Sequence, residues 1–444
     1  MVLLAAAGMS FADQPRLRRR GTTKARLDRG LFLGNTGAFI VNSEMQLFGN
    51  GAAAYPYRFL AVLPFLLLMY AALLSERAQA TSQLASQAQG QPGQFLEIDG
   101  TKIYYEECGS GPAIALLHDG LLASSTWDHV WPQLCAEFHV IRYDRRGYGR
   151  SDSPKSPFSP TSDLRAVLQH TNSKSALIVG NSSGGALAID FALEHPEMVE
   201  GLFLIGPVVH ASIEGSTYFA ERGQKNNAPL EKGDVQSAAE NWSKDRFLIA
   251  DSHEAARRKF LDALLKYPQS LRYAGNLEIR PTPGAGSRLA EIQAPTIIVA
   301  GEFDIPDVQA YCGVIQFGVP DAVRVVIKDA GHLVQLEQPA EVADRISRFT
   351  RRADRKVVSL PAKTLEAYAG QYSFSGTTLS VVPKDGRLIM RLPNRPDFLF
   401  YAQSDRQFFM RTRDVEAEFL RDSAGKVTEL VLNQSGSLIR CLRV

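Results

Sequence analysis

An apolar run, Ser175 to Val179, passes without a linker into Gly180-Asn181-Ser182-Ser183-Gly184-Gly185, and that turn passes straight into a helix-like stretch, Ala186 to Glu194. Strand, tight turn and helix in this order form the setting in which a G-x-S-x-G pattern presents a nucleophile. A side chain at the point of the turn is pushed out of the sheet, and glycines two residues to either side remove Cβ atoms that would collide there. An ordinary helix N-cap also uses serine, but it has no need of glycine on both flanks. Ser182 is therefore the first candidate for chemistry.

A serine hydroxyl is protonated at neutral pH. It attacks only with a base in hydrogen-bond reach and a third group that holds the base in the correct tautomer. Thr296 to Ala300 reads as a buried strand ending in Gly301-Glu302-Phe303-Asp304, and Val323 to Ile327 as another ending in Asp329-Ala330-Gly331-His332. Asp304 and His332 thus fall just past strand ends, as Ser182 does, and in a parallel sheet those ends share the carboxyl edge where ligands bind. Glu302 and Asp307 are the alternative acids; position 206, the other strand end at which an acid could stand, is glycine. Of the eight histidines only His332 has this setting. His118 reads as structural in its turn and His195, before Pro196, as a helix terminus, while His129, His139, His170, His210 and His253 have no partner at metal-ligand spacing, so neither a metal nor a cofactor is expected.

The chain order Ser182, Asp304, His332 resembles that of the α/β-hydrolase family. The likeness runs from about Phe95 to about Ala353. Ile114 to Leu117 with His118-Asp119-Gly120 resembles the oxyanion-loop strand, and Asp144-Arg145-Arg146-Gly147-Tyr148-Gly149-Arg150-Ser151 resembles the D-x-R-G-x-G-x-S turn. Gly331-His332 with Glu337-Gln338-Pro339 resembles the stretch around the catalytic histidine. The resemblance implies that His332 takes the Ser182 proton, that Asp304 stabilises the imidazolium, and that an acyl-enzyme forms and is cleared by water. It also implies that the backbone N–H groups of Ser183 and Gly120 meet the oxyanion. Two positions depart from the family: Asp119 stands where glycine is more frequent, which leaves the second oxyanion donor open, and Asn181 stands where histidine is frequent.

The same stretch alternates strands with helical segments, the pattern of an α/β fold with a mostly parallel sheet covered on both faces. Phe95 to Ile98, Asp99-Gly100 and Thr101 to Glu106 read as a hairpin at its start. Between Pro207 and Arg288 the alternation fails; Val235 to Ile249 and His253 to Tyr267 carry apolar residues at helical spacing and read as a lid over Ser182. Tyr218, Phe219, Trp242 and Phe247 are either lid core or the wall of an apolar pocket. Beyond the basic run Arg351 to Lys356, residues 360–444 read as a small antiparallel β domain. Its opening, Leu365-Glu366-Ala367-Tyr368-Ala369-Gly370-Gln371-Tyr372, resembles that of a β domain appended to some bacterial penicillin-recognising serine hydrolases. No partner for it is legible.

The front of the chain carries a different signal. Phe59 to Leu74 is a sixteen-residue apolar run, preceded by Arg58 and followed by Ala78-Gln79-Ala80, which reads as a signal peptide over 58–80. The run is short for a spanning helix, although an uncleaved anchor is the alternative. Residues 1–57 read as a disordered or misassigned extension, and 81–93, rich in Gln, Ser and Ala, as a linker. Residues 1–80 hold nine of the 49 Lys and Arg but four of the 47 Asp and Glu, so the net charge falls from +2 to about −3 without them. That balance points away from nucleic acid. Cys108, Cys135, Cys312 and Cys441 follow no motif spacing; export permits disulfides, but buried free thiols are as good a reading.

The expectation is a periplasmic or secreted serine hydrolase acting on an ester, lactone or similar small acyl compound. A ligand-binding homologue without catalysis, and a cofactor-free haloperoxidase or perhydrolase using the same three residues, are the alternatives.

Overall fold

Side chains that alternate along a strand cover opposite faces of its sheet, and that alternation organises the structure, a computed structural model that describes residues 93–273 and 275–444. The expected extension 1–57, signal peptide 58–80 and nearly all of the linker 81–93 lie outside the described residues. Among the described residues no helix is long and apolar enough to cross a membrane.

The hairpin β1 (Gln94–Ile98) and β2 (Thr101–Cys108) turns on Asp99 and Gly100, both at positive φ (49° and 71°). It leads into β3 (Ala113–Leu117), β4 (His139–Tyr143), β5 (Ala176–Asn181), β6 (Val199–Ile205), β7 (Thr296–Gly301) and β8 (Ala322–Ile327). The sheet order is β1-β2-β4-β3-β5-β6-β7-β8, antiparallel up to the β2–β4 pair and parallel from there on. Ile178, Leu202, Leu204, Ile298 and Ala300 face one apolar cluster, while Leu177, Val179, Phe203, Ile205, Ile297 and Val299 face the other. The first cluster is closed by α1 (Pro160–His170) and α2 (Ser183–Glu194) through Leu164, Leu168, Leu187 and Phe191.

The insertion 207–288, expected as a lid, adds α3 (Thr217–Asn227), α4 (Val235–Ser243) and α5 (Glu254–Lys266) to that face, and α6 (Pro306–Gly318) completes it. The other face is closed by α7 (Pro339–Ala353) and the short helix Trp131–Cys135. The expected helix over 235–249 stops early because Asp245 turns the chain: its Oδ1 accepts from the Phe247 N–H at 3.0 Å and its Oδ2 pairs with Arg222 at 2.5 Å. Helix α3 falls within the helical insertion but outside the two stretches whose apolar spacing marks a helix. Its sequence is polar, carries Gly223 and buries only Asn226, so no apolar stripe announces it.

The C-terminal domain is a closed barrel of β9 (Gly370–Phe374), β10 (Thr377–Lys384), β11 (Arg387–Arg391), β12 (Phe398–Ala402), β13 (Gln407–Phe409), β14 (Val415–Arg421), β15 (Val427–Gln434) and β16 (Ser437–Arg443). Pairing of Leu442 with Ser373 and of Arg443 with Tyr372 closes it, which removes the edges of an open meander. Tyr368, Tyr372, Phe408 and Phe419 fill its interior, with Tyr368 stacked on Phe419 at 4.3 Å.

Cys108 at the end of β2 is bonded to Cys135 across a Cα–Cα distance of 5.5 Å, and Cys312 and Cys441 are buried free thiols. Alkylation of the denatured, unreduced protein is therefore expected to modify two cysteines, and all four only after reduction. Replacing Cys108 and Cys135 by serine is expected to lower the unfolding free energy by about 3.5 kcal/mol, the chain-entropy value for a loop of 27 residues, measured by urea titration.

Candidate active site

In the parallel register Asn181 stands opposite Ile205, Ile205 opposite Val299 and Gly301 opposite Ile327, so β5 and β6 end level at the carboxyl edge and β7 and β8 end level two residues further on. Ser182 is the first residue past β5, at φ 54° and ψ −117°, a region that L residues avoid. Its N–H donates to the Ile205 carbonyl at 2.9 Å, which fixes the turn against β6. The flanking glycines are required by contact. A Cβ on Gly180 would lie 2.3 Å from the Gly184 carbonyl oxygen, and one on Gly184 would lie 2.5 Å from that of His118. Ser182 Oγ has no hydrogen-bond partner among the described residues.

Asp304 and His332 meet beside this turn. His332 Nδ1 lies 2.9 Å from Asp304 Oδ1, which also accepts from the Ile305 N–H at 2.7 Å, and both side chains are buried. A Cβ on Gly206 would come within 2.7 Å of His332 Nδ1 and 2.9 Å of Asp304 Oδ2. The dyad therefore packs on Gly206, next to the residue that anchors Ser182. Burial works against an imidazolium here, but the charge of Asp304 and its hydrogen bond outweigh it, with a further contribution from Asp119. The His332 pKa is accordingly raised above its ordinary value of 6.5. Of the alternative acids, Glu302 accepts from the Asp329 N–H at 3.0 Å, and Asp307 accepts from the N–H and hydroxyl of Ser216 at 2.6 and 2.9 Å. Neither reaches His332.

The loop that carries His332 is held by residues to which the sequence assigned no role in the site. Glu337 accepts from the Gly331 N–H at 2.8 Å and from the lid's Ala250 N–H at 2.7 Å. The His332 N–H donates to the Phe247 carbonyl at 2.8 Å, so the segment after α4 pairs directly with the histidine loop. Asn181, where the family often has histidine, donates to the carbonyls of Ile205 at 2.9 Å and His332 at 3.3 Å while accepting from Gln335 Nε2 at 3.0 Å. Glu337 was legible only as part of a motif; Gln335 and Asn181 carried no signal of their own.

Ser183 opens α2, so its N–H has no intrahelical acceptor. Gly120 comes close to it: a Cβ on Gly120 would lie 3.2 Å from Ser183 Oγ. Asp119 replaces the family's glycine without loosening the turn, since its Oδ1 accepts from the N–H groups of Leu121 and Leu122 at 2.7 and 2.9 Å. Gly120 and Ser183 share a cavity of about 150 Å³ with Arg145, Tyr148 and His210. The lid aromatics divide. Trp242 is core, with Nε1 donating to Asn227 at 2.7 Å, and Phe219 packs on the same core. Phe247 lines a cavity of about 600 Å³ beside Asp304, and Tyr218, half exposed, lies edge-on to it at 6.1 Å. Among the described residues no cluster of His, Cys, Asp and Glu is arranged to hold a metal ion.

Residues 114–345 match the alpha/beta hydrolase family, and residues 354–438 match a domain of unknown function (DUF3471). An uncharacterized protein of Mycobacterium tuberculosis is 36% identical over 115 residues, 25% of this chain and 34% of that protein, so the match spans about a third of the length of this curated relative. A 2-hydroxy-6-oxo-6-(2'-aminophenyl)hexa-2,4-dienoic acid hydrolase of Metapseudomonas resinovorans is 24% identical over 59% of this chain and 91% of the relative. An esterase of Exiguobacterium antarcticum superposes with a TM-score of 0.52 at 21% identity, covering 59% of this chain and 100% of the esterase, a likeness of fold.

The raised pKa has a direct readout. NMR titration of His332 is expected to give a midpoint above 6.5, because the Asp304 carboxylate favours the charged ring. Asp304→Asn removes that charge and leaves burial, which favours the neutral ring, so the midpoint is expected to fall below the ordinary value. A midpoint that does not move would mean that the two side chains do not interact in solution.

Proposed function

Because the chain belongs to the α/β-hydrolase family, we propose that it is a serine hydrolase in which Ser182 attacks the carbonyl carbon of an ester, lactone or similar small acyl substrate. His332, with Nδ1 committed to Asp304, takes the hydroxyl proton at Nε2 and then delivers it to the leaving alkoxide. Asp304 holds the ring in that tautomer and stabilises the imidazolium. The tetrahedral oxyanion is received by the N–H groups of Ser183 and Gly120, and the acyl-enzyme that remains is cleared by water that His332 deprotonates in turn.

The observation that carries this reading is the 2.9 Å bond between His332 and Asp304, packed on Gly206 beside a serine held at positive φ. A buried His–Asp pair elsewhere in a core needs no strained serine next to it. An aspartate at 182 is what epoxide-hydrolase or dehalogenase chemistry would require, and serine stands there. The cavity of about 150 Å³ beside Ser183 is below the usual range of about 300–1,000 Å³ for ligand sites, which favours a small acyl or alcohol portion. Export is supported by the segment 58–80 and by the Cys108–Cys135 bond, a linkage suited to an oxidising compartment.

Wild-type protein is expected to be labelled by a fluorophosphonate probe and to hydrolyse p-nitrophenyl acetate faster than longer acyl esters. Ser182→Ala is expected to abolish labelling and to lower kcat by about 10⁶-fold. A wild type that neither labels nor turns over would make the protein a binder, and turnover that survives Ser182→Ala would remove the serine from the chemistry.

A further inference from the structure

Three arginines follow one another closely in the turn after β4, and their surroundings differ. Arg146 is paired with Asp163 at 2.7 Å, and Arg150 with Asp144 at 2.9 Å. Arg145 stands at the position that the D-x-R-G-x-G-x-S pattern leaves free. It is buried, and among the described residues no carboxylate lies within ion-pair distance of its guanidinium. Its Nε has no hydrogen-bond partner, and one face of the guanidinium lies over the Tyr148 ring at 4.7 Å. An unpaired buried cation is costly to keep, and in this chain it is kept beside the two candidate oxyanion donors.

What Arg145 holds is specific. Nη2 donates to the Asp119 carbonyl at 2.7 Å and to Ser183 Oγ at 2.8 Å. The Asp119 carbonyl belongs to the same planar peptide unit as the Gly120 N–H, and in a trans peptide the two point in opposite directions. Fixing that oxygen from behind therefore fixes the direction of the N–H in front. A second donor acts on the same oxygen. The Arg145 N–H donates to His118 Nε2 at 3.0 Å, so the ring proton sits on Nδ1, 2.7 Å from the Asp119 carbonyl. Burial, aided by the Arg145 charge, pushes the His118 pKa down to about 3, so the neutral ring and its tautomer persist at working pH. Two donors on one carbonyl also polarise the peptide and strengthen its N–H as a donor.

We propose that Arg145 is a positioning residue of the oxyanion site: through the Asp119 carbonyl and the Ser183 hydroxyl it orients the Gly120 and Ser183 N–H groups, and its unpaired charge adds to the field that receives the oxyanion. This rests on the Ser182 acyl-enzyme reading. It gives a role to two positions where the chain has its own residues, since Asp119 keeps its turn closed with its carboxylate while presenting its carbonyl to Arg145. The field acts on charge that develops only in the transition state, so the effect belongs in kcat rather than in substrate affinity.

The test uses the full chain with p-nitrophenyl acetate, kcat being counted per serine titrated by the fluorophosphonate so that unfolded protein does not enter. Arg145→Gln is expected to lower kcat by about 10- to 100-fold, less than the loss on deleting an oxyanion donor outright, with KM changed by less than about threefold. Affinity for an acyl trifluoromethyl ketone, whose hemiketal carries the same oxyanion, is expected to fall in proportion to kcat/KM. Arg145→Lys, which keeps the charge but reaches one acceptor, is expected to lie between, and added guanidinium to restore turnover of Arg145→Ala where equal sodium chloride does not. Wild-type kcat and ketone affinity in Arg145→Gln, or a loss confined to KM, would overturn the proposal while labelling of Ser182 stands. A wild type without labelling or turnover would instead remove the acyl-enzyme reading and this proposal with it.

Discussion

Strand register is the constraint on which the rest of the molecule depends. Ser182, Asp304 and His332 leave β5, β7 and β8 at different distances past the last sheet residue, and they are brought toward Gly206 by a fixed register, Asn181 opposite Ile205, Ile205 opposite Val299 and Gly301 opposite Ile327. A one-residue slip of any of these strands would exchange the faces on which its side chains lie. Leu177 and Val179 would then enter the cluster of Ile178, and both cores would be disrupted. Apolar packing on the two faces thus sets the register that brings the polar groups together. The site borrows its precision from the core, which is why a residue without a side chain, Gly206, stands at its centre.

The sequence made the frame of this site legible because each part has a local signature. A strand entering a helix through glycines identifies Ser182, and a strand end followed within a few residues by an acid or a histidine identifies Asp304 and His332. The choice of Asp304 over Glu302 and Asp307 rested on analogy of position; in the structure the other two are occupied with Asp329 and Ser216. What stayed hidden depends on contacts distant in sequence. Glu337 bridges the histidine loop to Ala250, 87 residues away, and Gln335 reaches Asn181 across 154 residues. Helix α3 has no apolar period because it lies on the lid's surface, and the closure of the barrel by β16 against β9 is a pairing of sequence-remote edges that leaves no local mark.

The turn after β4 shows how a protein can keep one cation unpaired. Asp144 is buried, and burial alone would raise its pKa; hydrogen bonds and charge from Arg150, with hydrogen bonds from Ser124, hold it below the ordinary carboxylate value. Arg146 lies against Thr101 and Asp163, tying the turn to the first hairpin and to α1. These contacts fix the backbone on both sides of Arg145, so its place is set by neighbours that are individually satisfied. The unfavourable burial of one guanidinium is thereby offset by a network it does not share. An isolated arginine on a free loop would turn outward to water.

The barrel attaches where it does not obstruct this edge. Asp321, just before β8, accepts from Tyr401 at 2.9 Å and from Thr412 at 3.1 Å, and its own carbonyl accepts from the Thr296 N–H at the start of β7 at 2.8 Å. These contacts lie at the amino ends of β7 and β8, whereas Asp304 and His332 follow their carboxyl ends, six strand residues away. At about 3.3 Å per residue that separation is roughly 20 Å, too far for a barrel side chain at the Asp321 contact to reach the site. Burial raises the Asp321 pKa above its ordinary value, and the hydrogen bonds from Tyr401 and Thr412, which favour the carboxylate, offset only part of that rise. The domain is thus tied to the amino end of β8, the last strand of the sheet, and to α7, where Arg352 Nε donates to the Arg411 carbonyl at 3.1 Å. β8 leads to His332 and α7 packs on the same sheet, so the contacts of the barrel bear on the frame of the site and not on its side chains.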